Sequence, residues 1–421
     1  MIILFLPTAI ALFSSRYILK DLSDKGPSYV RASEEKLHRF HQKYINKSMQ
    51  NSSIYTVITK SFNITLECFH PFNDTLYQTC PKVAASLTRI AERIQNVVYI
   101  IRPITVQVTY SSFCVASGAV LGEVCPIPQQ TLAYAAPSSF YQFSQSEALV
   151  YGMDSDYLYP ISLVKQYTNY TGSQQYDIYV SFDSGWNWWF SEGLLGSVDA
   201  QWGRATNING GFVSLHSSKV AYDIESVGVH EFLHGLGFIS SWGLWIDSIH
   251  YLPSSIDYDK DSKVLGVAPS YIFDKWISDA TNNVWMRTWS DLIRLGIETS
   301  IKNGTDTWLQ HFIESSAGNI SSSLFTDIFQ AQGGVSVWYP QTSSNELQRV
   351  ILHSPTPYQP GSSVSHLDEQ SYLGSSEFLM LPVVNGYAGG MESRIPITRN
   401  GPIGAHVLGI LQSIGYVIIQ I

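Results

Sequence analysis

Residues 227–238 read Val-Gly-Val-His-Glu-Phe-Leu-His-Gly-Leu-Gly-Phe. The stretch combines two demands that conflict. Val227, Val229, Phe232, Leu233, Leu236 and Phe238 leave no polar side on a helix, so the helix they form is a buried one. The same stretch carries His230, Glu231 and His234, and polar side chains taken out of water need partners. A metal ion supplies one. Residues four apart share a helix face, so the imidazoles of His230 and His234 can converge on a single ion. Gly235 and Gly237 follow at once, so the helix should end by Gly237. Asp223 is a candidate cap for its start.

His-Glu-x-x-His is the zinc-peptidase signature. Zinc lowers the pKa of a bound water toward neutrality. Glu231, beside the first ligand, is placed to take that water's proton as it attacks a carbonyl. The competing reading is a helix with two unrelated His and a solvated Glu, and the apolar surroundings argue against it. No Cys lies near the motif, which disfavours a thiolate site.

The chain around this stretch has 421 residues, 45% apolar and 14% charged, with 25 Tyr, 19 Phe and 11 Trp. That is a globular composition, not a disordered one. The net charge of −9 is spread without a basic stripe, so nucleic acid is not an expected partner. Ile2 to Phe13 is an apolar run followed by Ser14-Ser15-Arg16, which suggests a signal peptide over 1–15 although a basic leader is missing. No later run reaches eighteen apolar residues, so no transmembrane segment is expected. Sequons at Asn46, Asn51, Asn63, Asn73, Asn169, Asn303 and Asn319 fit a secreted glycoprotein. Four Cys fall in two close pairs, and the simplest pairing is Cys68–Cys80 with Cys114–Cys125.

Residues 16–80 read as a polar N-terminal extension or pro-segment, with one charged helical stretch at Ala32 to Gln42. The catalytic domain is expected over 81–421. Lys82 to Val98 has helical spacing, Ile104 to Tyr110 alternates as a half-buried strand, and Tyr176 to Phe182 is a further strand. Gly210 to Leu215 is another. Trp186, Trp188 and Trp189 either line a substrate or glycan site or fold onto the core. Residues 241–360 read as an insertion, with helices expected over Tyr271 to Ser278, Trp289 to Ile301 and Thr305 to Glu314, and a strand over Gly333 to Tyr339. Residues 361–421 form a mostly irregular C-terminal subdomain closed by a helix from Gly404 to Ile414.

A catalytic zinc uses three protein ligands and a water. In the pattern His-Glu-x-x-His-x-x-Gly-x-x-His the third ligand follows the Gly by three residues. Gly237 is present, but position 240 is Ser. No Asn-Glu-x-x-Asp follows either. Asp247, His250, Asp257 and Asp259 lie nearby, and His366 and His406 lie downstream. Tyr387 and Tyr416 are candidates to stabilise an oxyanion.

The string His230-Glu-Phe-Leu-His234-Gly-Leu-Gly-Phe238, then a long insertion, Ser365-His366 and Met380, resembles the leishmanolysin-type metzincins. The resemblance implies zinc ligands His230, His234 and His366, general base Glu231, and Met380 in a Met-turn that floors the site. The insertion is longer here than in that family, and the family's dense cysteine framework is absent. The expected fold is α+β: a zincin-like catalytic domain with a twisted mixed sheet, a backing helix, an active-site helix and an irregular C-terminal subdomain. The expected function is that of a secreted, zinc-dependent metalloendopeptidase acting on protein or peptide substrates. Two further readings stay open: a secreted zincin-fold binding protein without activity, and an aromatic-rich carbohydrate-binding surface protein built around Trp186, Trp188 and Trp189.

Overall fold

The computed structural model describes residues 2–3, 52–69, 79–113, 131–170, 174–186, 188–191, 221–244, 249–258, 263–305, 307–341, 346–384 and 402–419. The signal-peptide segment beyond Ile2–Ile3, the stretch Ala32–Gln42, the strand 210–215 and the pair Cys114–Cys125 fall outside these residues. So do Asp247, Asp259, Tyr387 and the sequons at Asn46, Asn51 and Asn73.

Alternating apolar residues build the central layer. Strands β1 (Ser52–Ile58), β2 (Phe62–Phe69), β3 (Ile104–Ser111), β4 (Ala133–Pro137) and β5 (Ile178–Asp183) form one sheet in the order β1-β2-β3-β5-β4. β2, β3 and β5 run parallel, whereas β1 and β4 are antiparallel to their neighbours. The fold is thus α+β with a mixed sheet. Phe62, Ile64 and Leu66 sit in register with Ile104, Val106 and Val108, and Val106 with Ile178. All of these are buried, and alternation along each strand puts them on one face.

Helices cover that face. Helix α1 (Thr79–Gln95) links the parallel strands β2 and β3, a connection that needs a crossover. It buries Val83, Leu87, Ile90, Ala91 and Ile94, the stripe that its spacing predicts. Cys68 at the end of β2 is bonded to Cys80 at the start of α1. After helices α2 (Gln145–Tyr151) and α3 (Ile161–Tyr167) comes α4 (Ile224–Gly235), every residue of which is buried. Phe232 packs on Phe62 with ring centroids 5.7 Å apart. A Cβ on Gly228 would lie 2.2 Å from Ile90 Cδ1, and one on Gly235 would lie 2.3 Å from Ile178 Cγ2. Glycine at these two positions is what lets α4 sit against α1 and β5.

Several expectations need correction. Residues 52–69 were not expected to be strands, yet they form two strands of the main sheet. The boundary drawn at residue 80 therefore cuts through a layer of the folded unit. The region 241–360, expected as an insertion carried on the catalytic domain, has regular structure of its own. It holds a three-stranded antiparallel sheet, β6 (Ile277–Asp279), β7 (Val335–Pro340) and β8 (Leu347–Leu352), with helices α5 (Met286–Asn303), α6 (Trp308–Ile313) and α7 (Ser316–Leu324). Most of its buried apolar residues belong to the same hydrophobic cluster as the central sheet. Within Tyr271–Ser278, only Ile272–Trp276 is helical, as a 3-10 turn, and the chain then enters β6. The closing helix α8 (Ala405–Ile414) packs on β7, and Val417–Ile418 pairs back onto Val98–Tyr99. The end of the C-terminal stretch is thereby tied to the core. No helix among the described residues is long and apolar enough to cross a membrane.

Because a methyl at residue 235 would collide with the fixed branch of a buried Ile, Gly235→Ala should destabilise the protein. The expected loss is about 1–3 kcal/mol by urea unfolding, and adding Ile178→Ala should shrink the increment due to G235A. Full additivity of the two losses would contradict the packing argument.

Candidate metal centre

Helix α4 is anchored before its metal-type residues begin. Asp223 caps it: Oδ1 accepts the N–H of Glu225 at 3.0 Å and Oδ2 the hydroxyl of Ser226 at 2.6 Å. Glu225 is buried and accepts from Arg89 Nε at 2.5 Å and Arg93 Nη2 at 3.0 Å, both on α1, and from the Ser191 hydroxyl. The helix is thus locked lengthwise against α1. At its far end Gly237 takes φ +108°, a left-handed backbone that turns the chain away.

Between these anchors His230 and His234 place Nε2 atoms 3.0 Å apart. His366 joins them from 132 positions downstream: its Nε2 is 3.3 Å from that of His234 and 3.2 Å from that of His230. Imidazoles sharing one tetrahedral ion at Zn–N distances of about 2.0–2.1 Å have their nitrogens roughly 3–3.5 Å apart. All three rings are buried. Each Nδ1 meets a backbone carbonyl: His230 that of Leu379 at 2.6 Å, His234 that of Phe238 at 2.7 Å, and His366 that of Ser362 at 2.7 Å. A carbonyl oxygen only accepts, so Nδ1 carries the ring proton and Nε2 offers its lone pair. Burial pushes the imidazoles toward the neutral form, His230 and His366 well below the usual range and His234 to about 4. The mutual repulsion of His230, His234 and His366 would add to this in the charged form. A neutral imidazole is the ligating form.

Glu231 is also buried, and its Oε2 has no hydrogen-bond partner. Burial raises its carboxyl well above the usual range. An orphaned carboxylate oxygen on the residue after His230, in a helix that carries two of the three convergent lone pairs, is the kind of unsatisfied polar group that a metal and water would satisfy. The donor set of three imidazoles fits zinc, and also other imidazole-binding metals such as copper, iron or nickel.

The His366 segment is held by backbone pairing. After β8, His353 donates its N–H to the His366 carbonyl at 2.8 Å, and Val364 donates to the His353 carbonyl at 2.8 Å. Val364 takes φ +69°, a conformation costly for a β-branched residue. Leu367 donates to the carbonyl of Met380 at 2.8 Å. Met380 is buried and closes the turn Phe378–Met380, whose Leu379 carbonyl holds His230. One turn therefore touches both ends of the ligand set. Ser240, where the shorter pattern requires a third His, does other work: its N–H donates to Ser365 Oγ at 3.1 Å and its hydroxyl to Asp274 Oδ1 at 2.6 Å. Burial lifts the Asp274 carboxyl to about 6, against the opposing pull of Ser240 and Ser241.

The other candidates lie elsewhere. His250 packs against Phe312, with ring centroids 6.0 Å apart. Asp257 is in a hairpin strand and outside the cluster. His406 Nδ1 pairs with the Tyr339 hydroxyl at 2.9 Å. Tyr416 is buried with its hydroxyl 3.1 Å from Ser162 Oγ. Trp186 and Trp188 lie on the core, their Nε1 groups donating to the carbonyls of Thr131 and Asp183. Sequence reasoning missed the backbone carbonyls of Phe238, Ser362 and Leu379, which carry no side-chain signal. It also missed Asp274, whose role depends on a serine it meets in space.

Removing the Ser365 hydroxyl deprives the Ser240 N–H of its acceptor. Ser365→Ala should lower unfolding free energy by about 1 kcal/mol, read as a lower urea midpoint at unchanged slope. An unchanged midpoint would mean that the bridge between the two loops contributes nothing.

No curated protein and no solved structure matches the chain. A family model described as SPBPB7E8-like matches residues 23–259 and 268–420, which is nearly the whole length. On that match the chain belongs to the SPBPB7E8-like family.

Proposed function

We propose that this protein is a secreted zinc metallopeptidase with a zincin-like catalytic domain, resembling the leishmanolysin-type metzincins. The observation that carries the reading is the convergence of three Nε2 atoms at 3.0–3.3 Å, each ring fixed by a backbone carbonyl, with a buried carboxylate that has an unpartnered oxygen on Glu231, next in sequence to His230. Three imidazoles leave one position of a tetrahedral ion open, the arrangement of catalytic and not structural zinc. The turn Phe378–Met380 beneath the site, and the distance in sequence between His234 and His366, support the resemblance. The Cys68–Cys80 disulfide supports an oxidising destination. Asn63, Asn303 and Asn319 are exposed, as glycan acceptors must be.

Zinc, when bound, would supply a Lewis acid that acidifies a water molecule and polarises the scissile carbonyl. His230, His234 and His366 would hold it through Nε2. Glu231 takes the proton of the attacking water at Oε2 and passes it to the amine nitrogen as the C–N bond breaks. The substrate class is protein or peptide.

Glu231→Gln should keep the metal and cut hydrolysis of an unfolded protein substrate by about 10²–10⁴-fold. His366→Ala should lose both metal and hydrolysis. The pair is measured by metal stoichiometry and by peptide release. Full metal loading without hydrolysis in the unaltered protein would favour the non-catalytic binding reading, and undiminished turnover in the E231Q variant would sink the mechanism.

A further inference from the structure

The loop that follows α4 serves two of the three imidazoles. Its Phe238 carbonyl accepts from His234 Nδ1 at 2.7 Å, and its Ser240 N–H donates to Ser365 Oγ at 3.1 Å, beside His366. One side chain from elsewhere holds that loop. Asp274 lies on the 3-10 turn Ile272–Trp276 and is buried. Its Oδ1 accepts the Ser240 hydroxyl at 2.6 Å, and its Oδ2 accepts the Ser241 N–H at 2.9 Å. Among the described residues no cation pairs with it.

The contacts of Ser241 call for a second proton. Ser241 Oγ lies 2.6 Å from the Pro253 carbonyl oxygen and 2.5 Å from Asp274 Oδ2, and it accepts the Tyr271 N–H at 3.2 Å. A hydroxyl has one proton and two lone pairs. If that proton serves Pro253, an ionised Asp274 sets Oδ2 against Oγ with no proton between them. Giving the proton to the carboxylate only moves the conflict to Pro253, whose carbonyl can only accept. A proton on Oδ2 removes it: Ser241 Oγ then donates to Pro253 and accepts from Asp274 and Tyr271. Burial without a counter-ion favours the same neutral form and lifts the carboxyl to about 6.

We propose that Asp274 is a positioning residue of the metal centre that works as a neutral carboxylic acid, its own proton completing the hydrogen bonds that hold the loop after α4. The positioning role rests on the metal reading of the histidine cluster; the proton on Asp274 does not. The surrounding groups leave that proton in place. The turn packs against α5, α8 and β7. The charged residues of α5 that share its cavity are Arg287 and Asp291, clustered with Asp156, and Arg294, which donates to the Ala268 carbonyl. On α8 the titratable side chain is His406, bonded to Tyr339 of β7. Lys275, next in sequence, pairs with Asp154 at 2.9 Å. Tyr157 and Tyr251 face the carboxyl, and burial pushes both upward, so they stay neutral in acid. A folded-state pKa raised above the unfolded value gives stability that is complete below the unfolded value, 3.8, and lost as pH rises through about 6.

The metal-free protein tests the proton. Infrared difference spectra of the unaltered protein against Asp274→Asn, at about pH 5, should show the carbonyl stretch of a protonated carboxyl that D274N lacks. The unfolding constant of the unaltered protein divided by that of D274N should rise roughly ten- to a hundredfold between about pH 4 and about pH 7, the histidines titrating in both and cancelling. A missing band, or a ratio that is flat or falls with pH, overturns the neutral acid. Cobalt(II) tests the position. Asp274→Leu should bind it about tenfold or more weakly, with altered visible ligand-field bands. D274N, which keeps a donor and an acceptor, should recover most of that loss, and a D274N no better than D274L overturns the neutral acid. Equal affinity and an unchanged spectrum in D274L overturn the positioning role alone. An unaltered protein that binds no cobalt overturns that role together with the metal reading. Should D274L fail to fold, Ser240→Ala replaces it: severalfold weaker cobalt binding is expected, and equal affinity overturns the role.

Discussion

The architecture turns on one constraint: three imidazoles that must face one another, deep in an apolar interior, without protonating. Each Nδ1–H is spent on a backbone carbonyl, which turns each Nε2 lone pair toward a common point. Burial opposes the charged rings that would drive the cluster apart. The three carbonyls come from the loop after α4, the loop after β8 and the turn before residue 381. The histidines therefore meet only if the helix, the insertion and the C-terminal stretch are all folded onto each other.

That requirement explains features that otherwise look unrelated. The Glu225 interaction with Arg89 and Arg93 sets where α4 lies along α1, and Gly228 and Gly235 set how close it comes. The strained backbone of Val364 is tolerated because the Val364 N–H and the His366 carbonyl both bond to the backbone of His353 and so define the loop that carries His366. Glu377 reaches across to the start of α8, accepting the N–H of His406 at 3.1 Å, and so holds the turn that follows it. In α8 the chain has no capping side chain of its own at Gly404, so this distant carboxylate serves a helix end that favours negative charge.

How much of this was legible from residues alone varies with the range of the interaction. The buried helix, its cap at Asp223 and its pair of histidines are local patterns, and each could be read from spacing. His366 could be singled out only through a family resemblance, because no local rule connects it to a helix 132 positions away. The strands over 52–69 were hidden by a polar, serine- and asparagine-rich context, although Phe62, Ile64, Leu66 and Cys68 alternate cleanly. How the insertion packs on the core was not legible, because its sheet pairs β6 with β7 across more than fifty residues. That contact is of the long-range kind that sequence periodicity does not report.

The most direct test of the central claim is X-ray absorption at the metal edge of the purified protein. One metal per chain is expected, zinc by its edge, with three imidazole nitrogens at about 2.0–2.1 Å and one further light ligand. His366→Ala should remove one imidazole from that shell or empty the site. A protein that binds no metal, or a shell with fewer than three imidazoles, or one that H366A leaves unchanged, would contradict it.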